Sequence, residues 1–427
     1  MSSNEQLLSQ LTLAVEPERA AILDRLARRM VLQALTRISH GHLVVAEGRR
    51  TMAFGENRGE LTATLRVHSF RFYRYIALGG TIGAGEAYMD GLWSCADLPA
   101  VIRIMVRNRQ VQDRLEGGVA RLAGVVQRLL HLLNDNTLSG SRRNIAAHYD
   151  LGNDFYRLFL DPTMAYSCGV FERPDSTLHE ASLAKFDRIC GKLGLAAGMS
   201  LVEIGTGWGG FALHAARHYC CRVTTTTISR EQYDYAAAQI AAAGLGDRIT
   251  LLQKDYRELR GQFDRLVSIE MIEAVGHRHL PTFFRSCARL LKPDGMALLQ
   301  AITLPDRVYP RYRKTPDFIN RHIFPGGCCP SLAAMSAAAA GATDLDLVDL
   351  EDLTPHYVLT LQQWRKAFHE RLDSLRALDY DERFVRMWDY YLAYCEGGFS
   401  EHFTGLLQLL YARPGYRFRA EDTGVSG

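Results

Sequence analysis

The spacing of apolar positions changes character partway along this chain of 427 residues. From Glu18 to Ser39 it is helical: Ile22, Leu26, Met30, Leu32 and Leu35 are apolar, and Arg25, Arg28, Arg29 and Arg37 are basic, which predicts an amphipathic helix. The segments HLVVAEG (42–48) and ELTATLRVHS (60–69) alternate and predict strands. GGTIGAGEAYMDGLW (79–93) predicts a loop followed by a short helix, and a helical stretch follows over residues 97–134. The turn-rich NDNTLSGSRR (134–143) marks a domain boundary. Beyond it helix 179–194, strand 200–205, helix 211–219, strand 222–229 and helix 230–244 alternate, then strands 249–255 and 265–272, helix 279–291 and strand 295–303. Strands separated by helices predict a parallel, doubly wound sheet. The last third, 331–412, predicts mostly helix with one short β-like piece, LVDLEDL.

Composition refines this picture only in places. Apolar residues make up 47% and charged residues 23%, so the chain is globular and divides into two or three domains by length. A net charge of +3 argues against a polyanion binder, and no nucleic-acid partner is expected. The basic excess is local: Arg103, Arg107, Arg109, Arg114, Arg121 and Arg128 stand against Asp113 and Glu116, which suggests attraction to an anionic surface. Nine cysteines without a CxxC pair or zinc spacing read as reduced thiols, and no metal site is expected. There is neither a signal-peptide pattern nor an apolar run long enough to span a bilayer, so membrane contact is expected to be peripheral.

The chemistry begins at EIGTGWGG (203–210), where an acidic residue ends a strand and glycines open a helix. Gly205, Gly207 and Gly210 let a backbone approach a ligand, and a helix N-terminus favours polar or anionic groups. A dinucleotide site requires an acid about 20 residues on, at the end of the second strand. That strand ends TTTTIS, with no acid before Glu231. An S-adenosylmethionine site uses Glu203 within the first loop and Asp255 after the third strand, and this reading is preferred.

Six ordered motifs then carry a resemblance. HYDLGNDFYRLFLDPTMAYSCGVF (148–171), EIGTGWGG, TTTTISREQ (224–232), IEMIEAVG (269–276), HIFPGG (322–327) and the later HYVLTLQQWR and YYLAYCEGGF resemble the cyclopropane-fatty-acyl-phospholipid synthase (mycolic acid cyclopropane synthase) family. GEAYMDGLW (85–93) resembles the N-terminal lipid-binding domain of its phospholipid enzymes. The resemblance implies a cofactor held by Tyr149, Tyr166, Ser167, Gly205, Gly207, Thr227 and Gln232. It also implies a bicarbonate ion that accepts a proton and is bound through Cys168, Glu273, Gln300, Ile302 and Tyr357. Within this set Glu273, at the end of the fourth strand, is the strongest candidate, and Glu270 is read as mid-strand and variable in the family. The family pattern LLHTI reads LLQAI here (298–302), so Gln300 cannot pass a proton. Phe384, Trp388, Tyr391 and Cys395 fall on one helix face, with Cys395 as pocket lining rather than nucleophile.

The expectation is an α/β protein with two domains. Residues 1–135 form a small α+β lipid-binding domain, and 136–427 a Rossmann-like class I S-adenosylmethionine-dependent methyltransferase domain with a helical lid. The implied reaction transfers a methylene unit from S-adenosylmethionine to the cis double bond of unsaturated phospholipid acyl chains, with bicarbonate as base. Methylation of the alkene without ring closure is the alternative. A soluble small-molecule methyltransferase and a non-catalytic lipid-binding protein are the remaining readings. The expected partners are unsaturated membrane phospholipids and an anionic membrane surface, the expected place the cytoplasmic face of the membrane. Homodimerisation stays open.

Overall fold

The computed structural model describes residues 21–56, 59, 61–115 and 151–417. The chain divides into two compact units. One comprises Met1–Leu133, Lys314–Ile323 and Trp364–Phe403, and the other Asn134–Arg313, Phe324–Gln363 and Thr404–Gly427. The turn-rich segment 134–143 lies outside the described residues. Two later segments, including the aromatic helix, group with the first unit and not with the sheet that follows.

In the first unit a four-stranded sheet runs in the order β2-β1-β3-β4, with β1 His42–Glu47, β2 Arg50–Gly55, β3 Thr62–Val67 and β4 Trp93–Cys95. The stretch expected as a loop with a short helix is instead part of one long helix, Arg71–Met89, kinked at Gly80. Its glycines serve close packing: a Cβ on Gly85 would sit 2.5 Å from the Phe318 ring, and one on Gly83 2.0 Å from the Tyr75 carbonyl oxygen. Glycine costs a helix about 1 kcal/mol, so only packing of this kind justifies it there. The basic stretch forms two helices, Leu98–Arg107 and Arg109–Leu115, and Arg121 and Arg128 lie outside the described residues. Three of its arginines have partners within the unit, while Arg114 is exposed. Arg103 and Arg107 both bond Glu401 at 2.7 Å, and Arg109 lies over the Phe403 ring. The first helix, Ile22–Leu35, buries its small face through Ala27, Val31 and Ala34 and leaves Ile22, Leu26 and Met30 more than half exposed.

The second unit is built on seven strands in the order β10-β11-β9-β8-β5-β6-β7. These are β5 Ser200–Ile204, β6 Arg222–Thr226, β7 Ile249–Leu252, β8 Phe263–Ile269, β9 Leu291–Thr303, β10 Asp346–Asp352 and β11 Gly405–Ala412. Strands β5 to β9 are parallel; β11 is antiparallel to β9, and β10 to β11. The sheet is therefore mixed, because GLLQLLYA, expected as helical, is a strand. Its single glutamine in an apolar run fits both helix and buried strand. Alternation sends successive residues to opposite faces: Val202, Leu266 and Leu299 enter one core, Leu201, Val267 and Leu298 the other. Each such side chain contributes about 1.5–3 kcal/mol of burial. The chain order reverses between β5 and β8, the place where open α/β sheets bind ligands.

Candidate active site

The glycine loop leaves β5 and enters the helix Gly210–His218. Gly205 has φ 102°, a value that strains any residue with a side chain. A Cβ on Gly210 would lie 2.5 Å from the Thr163 carbonyl oxygen. At Gly207 nothing lies within 4 Å of where a Cβ would be, so open space borders the loop. The next strand leads to Thr227, whose hydroxyl donates to Gln232 Oε1 at 2.8 Å. The Gln232 amide nitrogen has no partner among the described residues, so it is free to donate to a sugar hydroxyl. These features fit an adenosyl cofactor. Of the two acids read toward it, Glu203 is buried and accepts a bond from Thr225 Oγ1 at 2.5 Å, and burial pushes its carboxyl up to about 8. Asp255 caps a short turn and holds Arg257 through both carboxylate oxygens at 2.8 Å. Tyr166 packs with Tyr156, Phe159 and Phe324, and Tyr149 lies outside the described residues.

The other half of the site gathers around Glu270. Strand β8 ends at Ile269, so Glu270 is the first residue past the strand and not mid-strand. Its φ of 48° bends the chain there. Its carboxylate accepts from the Cys168 backbone N–H at 2.9 Å, Gln300 Nε2 at 2.8 Å and the Tyr357 hydroxyl at 2.6 Å. Three of the groups expected around bicarbonate are thus bonded to a side chain of the protein itself. The fourth, the Ile302 N–H, donates to Glu273 Oε1 at 2.5 Å. With these donors committed, the set does not fit a bicarbonate ion.

The two carboxyls differ in kind. Burial raises both; at Glu273, which the charge of Glu270 pushes further, the value reaches about 8. Glu273 Oε2 is buried without a hydrogen-bond partner. Three donors stabilise charge on Glu270, whereas Glu273 has one, so near neutral pH Glu270 carries the charge and Glu273 the proton. The Cys168 thiol is fully buried, and burial beside Glu270 raises it well above the usual thiol range; it holds no thiolate to act as a nucleophile.

Two contributors escaped the sequence reading. Gln408 on β11 donates from Nε2 to Gln300 Oε1 at 3.0 Å, which turns the Gln300 amide so that its nitrogen faces Glu270. Lys185 is fully buried on the helix Leu178–Lys192 and donates to Ser167 Oγ at 2.6 Å. Its position was legible: Ala181, Lys185 and Ile189 share one buried line at i, i+4 and i+8. Cys395 lies in the first unit.

A mostly parallel sheet with a glycine loop after its central first strand defines a class I S-adenosylmethionine-dependent methyltransferase, a transferase. Residues 137–409 match the mycolic acid cyclopropane synthetase family, and the chain belongs to it. It is 38% identical over 404 residues to the tuberculostearic acid methyltransferase UfaA1 of Mycobacterium tuberculosis, covering 93% of this chain and 92% of that one. The cyclopropane-fatty-acyl-phospholipid synthase of Escherichia coli K12 is 36% identical over 368 residues, covering 83% and 89%. The crystal structure of the mycolic acid cyclopropane synthase CmaA1, complexed with SAH and CTAB, superimposes with a TM-score of 0.59 at 35% identity, covering 64% of this chain and 98% of that one.

Proposed function

We propose that this protein methylates the double bond of an unsaturated phospholipid acyl chain and that Glu270 takes the departing proton, giving a methylated alkene. The observation that carries the reading is the Glu270 carboxylate, buried and held by Cys168 N–H, Gln300 and Tyr357. S-Adenosylmethionine, when bound, supplies an electrophilic methyl group; Ser167, Gly205, Gly207, Thr227 and Gln232 would hold it. The alkene electron pair would form a bond to that methyl as its bond to sulfur breaks, leaving the cofactor as a neutral thioether; the neighbouring carbon becomes a cation, and one C–H bond then breaks with its electron pair closing a new double bond. The proton goes to Glu270, so the lipid gains one CH2. A buried carboxylate with a raised pKa suits this role, because it holds the proton better than an exposed one. Cys168, Gln300 and Tyr357 keep the carboxylate in place, and Gln408 keeps Gln300 turned the right way.

Similarity to a methyltransferase over 93% of the chain supports the methylated product. Similarity to a cyclopropane synthase supports a second reading, loss of the proton from the new methyl with closure of a ring. NMR of lipids from cells expressing the protein decides between them. Olefinic signals beside a branched methyl are expected, and cyclopropyl protons alone would overturn the product assignment. Turnover should not depend on added bicarbonate, and Glu270→Gln should lose on the order of 10²-fold or more in rate. A Glu270→Gln enzyme of near-normal rate would remove Glu270 from the chemistry.

Access to lipid follows from the first helix. No helix among the described residues is long and apolar enough to cross a membrane. Ile22, Leu26 and Met30 form an outward apolar line beside exposed Arg25 and Arg29, a pattern suited to an anionic bilayer surface. With Arg103, Arg107 and Arg109 bonded inward, vesicle binding should depend on this helix, and Leu26→Asp should weaken it.

A further inference from the structure

Lys185 is a fully buried lysine, and among the described residues no carboxylate is in ion-pair contact with it. A lysine so placed loses its hydration, and burial pushes its pKa down from the usual lysine value. Its one hydrogen bond goes to Ser167 Oγ at 2.6 Å, and its side chain lies against the Phe186 ring. Such a charge is costly unless it balances another nearby. The acids it feels are Glu270, Asp161 and Glu203, together with the Cys168 thiol.

Each of these groups is in a different condition. Asp161 already accepts from His179 at 2.9 Å, from Ser182 Oγ at 3.2 Å and from Thr163 N and Oγ1. Burial keeps Glu203 protonated up to about 8, and Glu273, beside Glu270, likewise. The Cys168 thiol is neutral for the same reason. Glu270 is left as the carboxylate with neutral donors only: Cys168 N–H, Gln300 and Tyr357. A short path of two hydrogen bonds and one peptide link joins the two groups: Lys185 donates to Ser167 Oγ, and the next residue, Cys168, donates its N–H to Glu270.

We propose that Lys185 is the buried counter-cation of the active site, a positioning residue that holds the Ser167–Cys168 turn and keeps Glu270 ionised so that it can accept a proton. Nothing in the sequence motifs assigns this lysine a role. It rests on the reading of Glu270 as base, and it acts on the substrate only through Glu270.

The test follows the carboxyl itself. Protein labelled with 13Cδ-glutamate is titrated by NMR, and Glu270→Gln identifies the Glu270 signal by its loss. Lys185→Met removes the charge and keeps the length; Lys185→Arg keeps the charge. The Glu270 midpoint should rise by ~1–3 pH units in Lys185→Met, the usual effect of a nearby charge, and stay close to wild type in Lys185→Arg. The acid limb of kcat should move by the same amount. If Lys185→Met does not fold, Lys185→Gln serves in its place. A midpoint unmoved by loss of the charge overturns the proposal. Because the titration needs no turnover, it is separate from the base assignment: an active Glu270→Gln enzyme would sink that assignment, and the midpoint would still judge the coupling.

Discussion

Two buried carboxylates, one in each unit, show what a donor set does to an acid. Asp389 accepts from Arg365 at 2.9 Å, His369 at 2.8 Å and the Tyr88 hydroxyl at 2.6 Å. Burial alone would raise its pKa, but the Arg365 charge and the bonds from His369 and Tyr88 overcome this and hold the carboxyl well below the usual range. Glu270 also has three donors, but all are neutral: an amide N–H, a glutamine and a phenol. There burial wins and the pKa rises. A carboxylate tied to a guanidinium is a fixed strut, whereas one tied to neutral donors can still take a proton.

That contrast can be broken in order of size. Asp389→Ala leaves Arg365 buried without its counter-charge and should cost ~3–5 kcal/mol in urea unfolding. A loss below ~1 kcal/mol would mean the cluster is no strut. Glu270→Gln, by comparison, should cost less, since it removes a charge that burial disfavours even as it takes from Lys185 its counter-charge.

The pH dependence should have opposite signs at the two sites. Asp389, with a lowered folded pKa, contributes stability above ~3.9 that is lost as the pH falls further. Glu270, with a raised folded pKa, binds its proton better in the folded state. The fold therefore weakens as the pH rises from ~4.3 through that raised value, and activity grows over the same window as the base ionises. Unfolding free energies measured from the acid range upward should show the rising loss vanish in Glu270→Gln and persist in Asp389→Asn.

Smaller effects sharpen the site. Tyr357→Phe removes a bond to a charged group worth ~1.5–3 kcal/mol, so the acid limb of the rate profile should move up by ~1–2 pH units. Gln408→Leu touches Glu270 only through Gln300 and should move it by less than ~1 unit. An equal shift in both would show that Gln300 is not held by Gln408.

The sequence displayed much of this architecture and less of its chemistry. The alternating elements from 179 to 303 appear within a few residues of their expected bounds, because each carries its own period and cap, as in the Thr177–Glu180 capping box. Strand β11 was hidden because Gln408 interrupts an apolar run that fits either element. The glycines of the helix Arg71–Met89 mimic a loop, since the packing that Gly85 makes with Phe318 is not visible in residue order. The family resemblance points to Cys168, Gln300, Ile302 and Tyr357, and it favours Glu273 over Glu270. Which of two acids three residues apart meets the donors depends on where β8 ends and on a single positive φ. Neither is visible in residue order.

Strand β11 has a further consequence, for the moment of folding. It lies between β9 and β10, although it follows both in the chain by many residues. During synthesis β10 has no place in the sheet until residues 405–412 emerge, and Gln300 has no Gln408 to turn its amide. Pairings of such long sequence separation close late. A nascent chain therefore holds the bare edge of β9 in water until residues 405–412 have been made, an opening that a chaperone would be expected to cover.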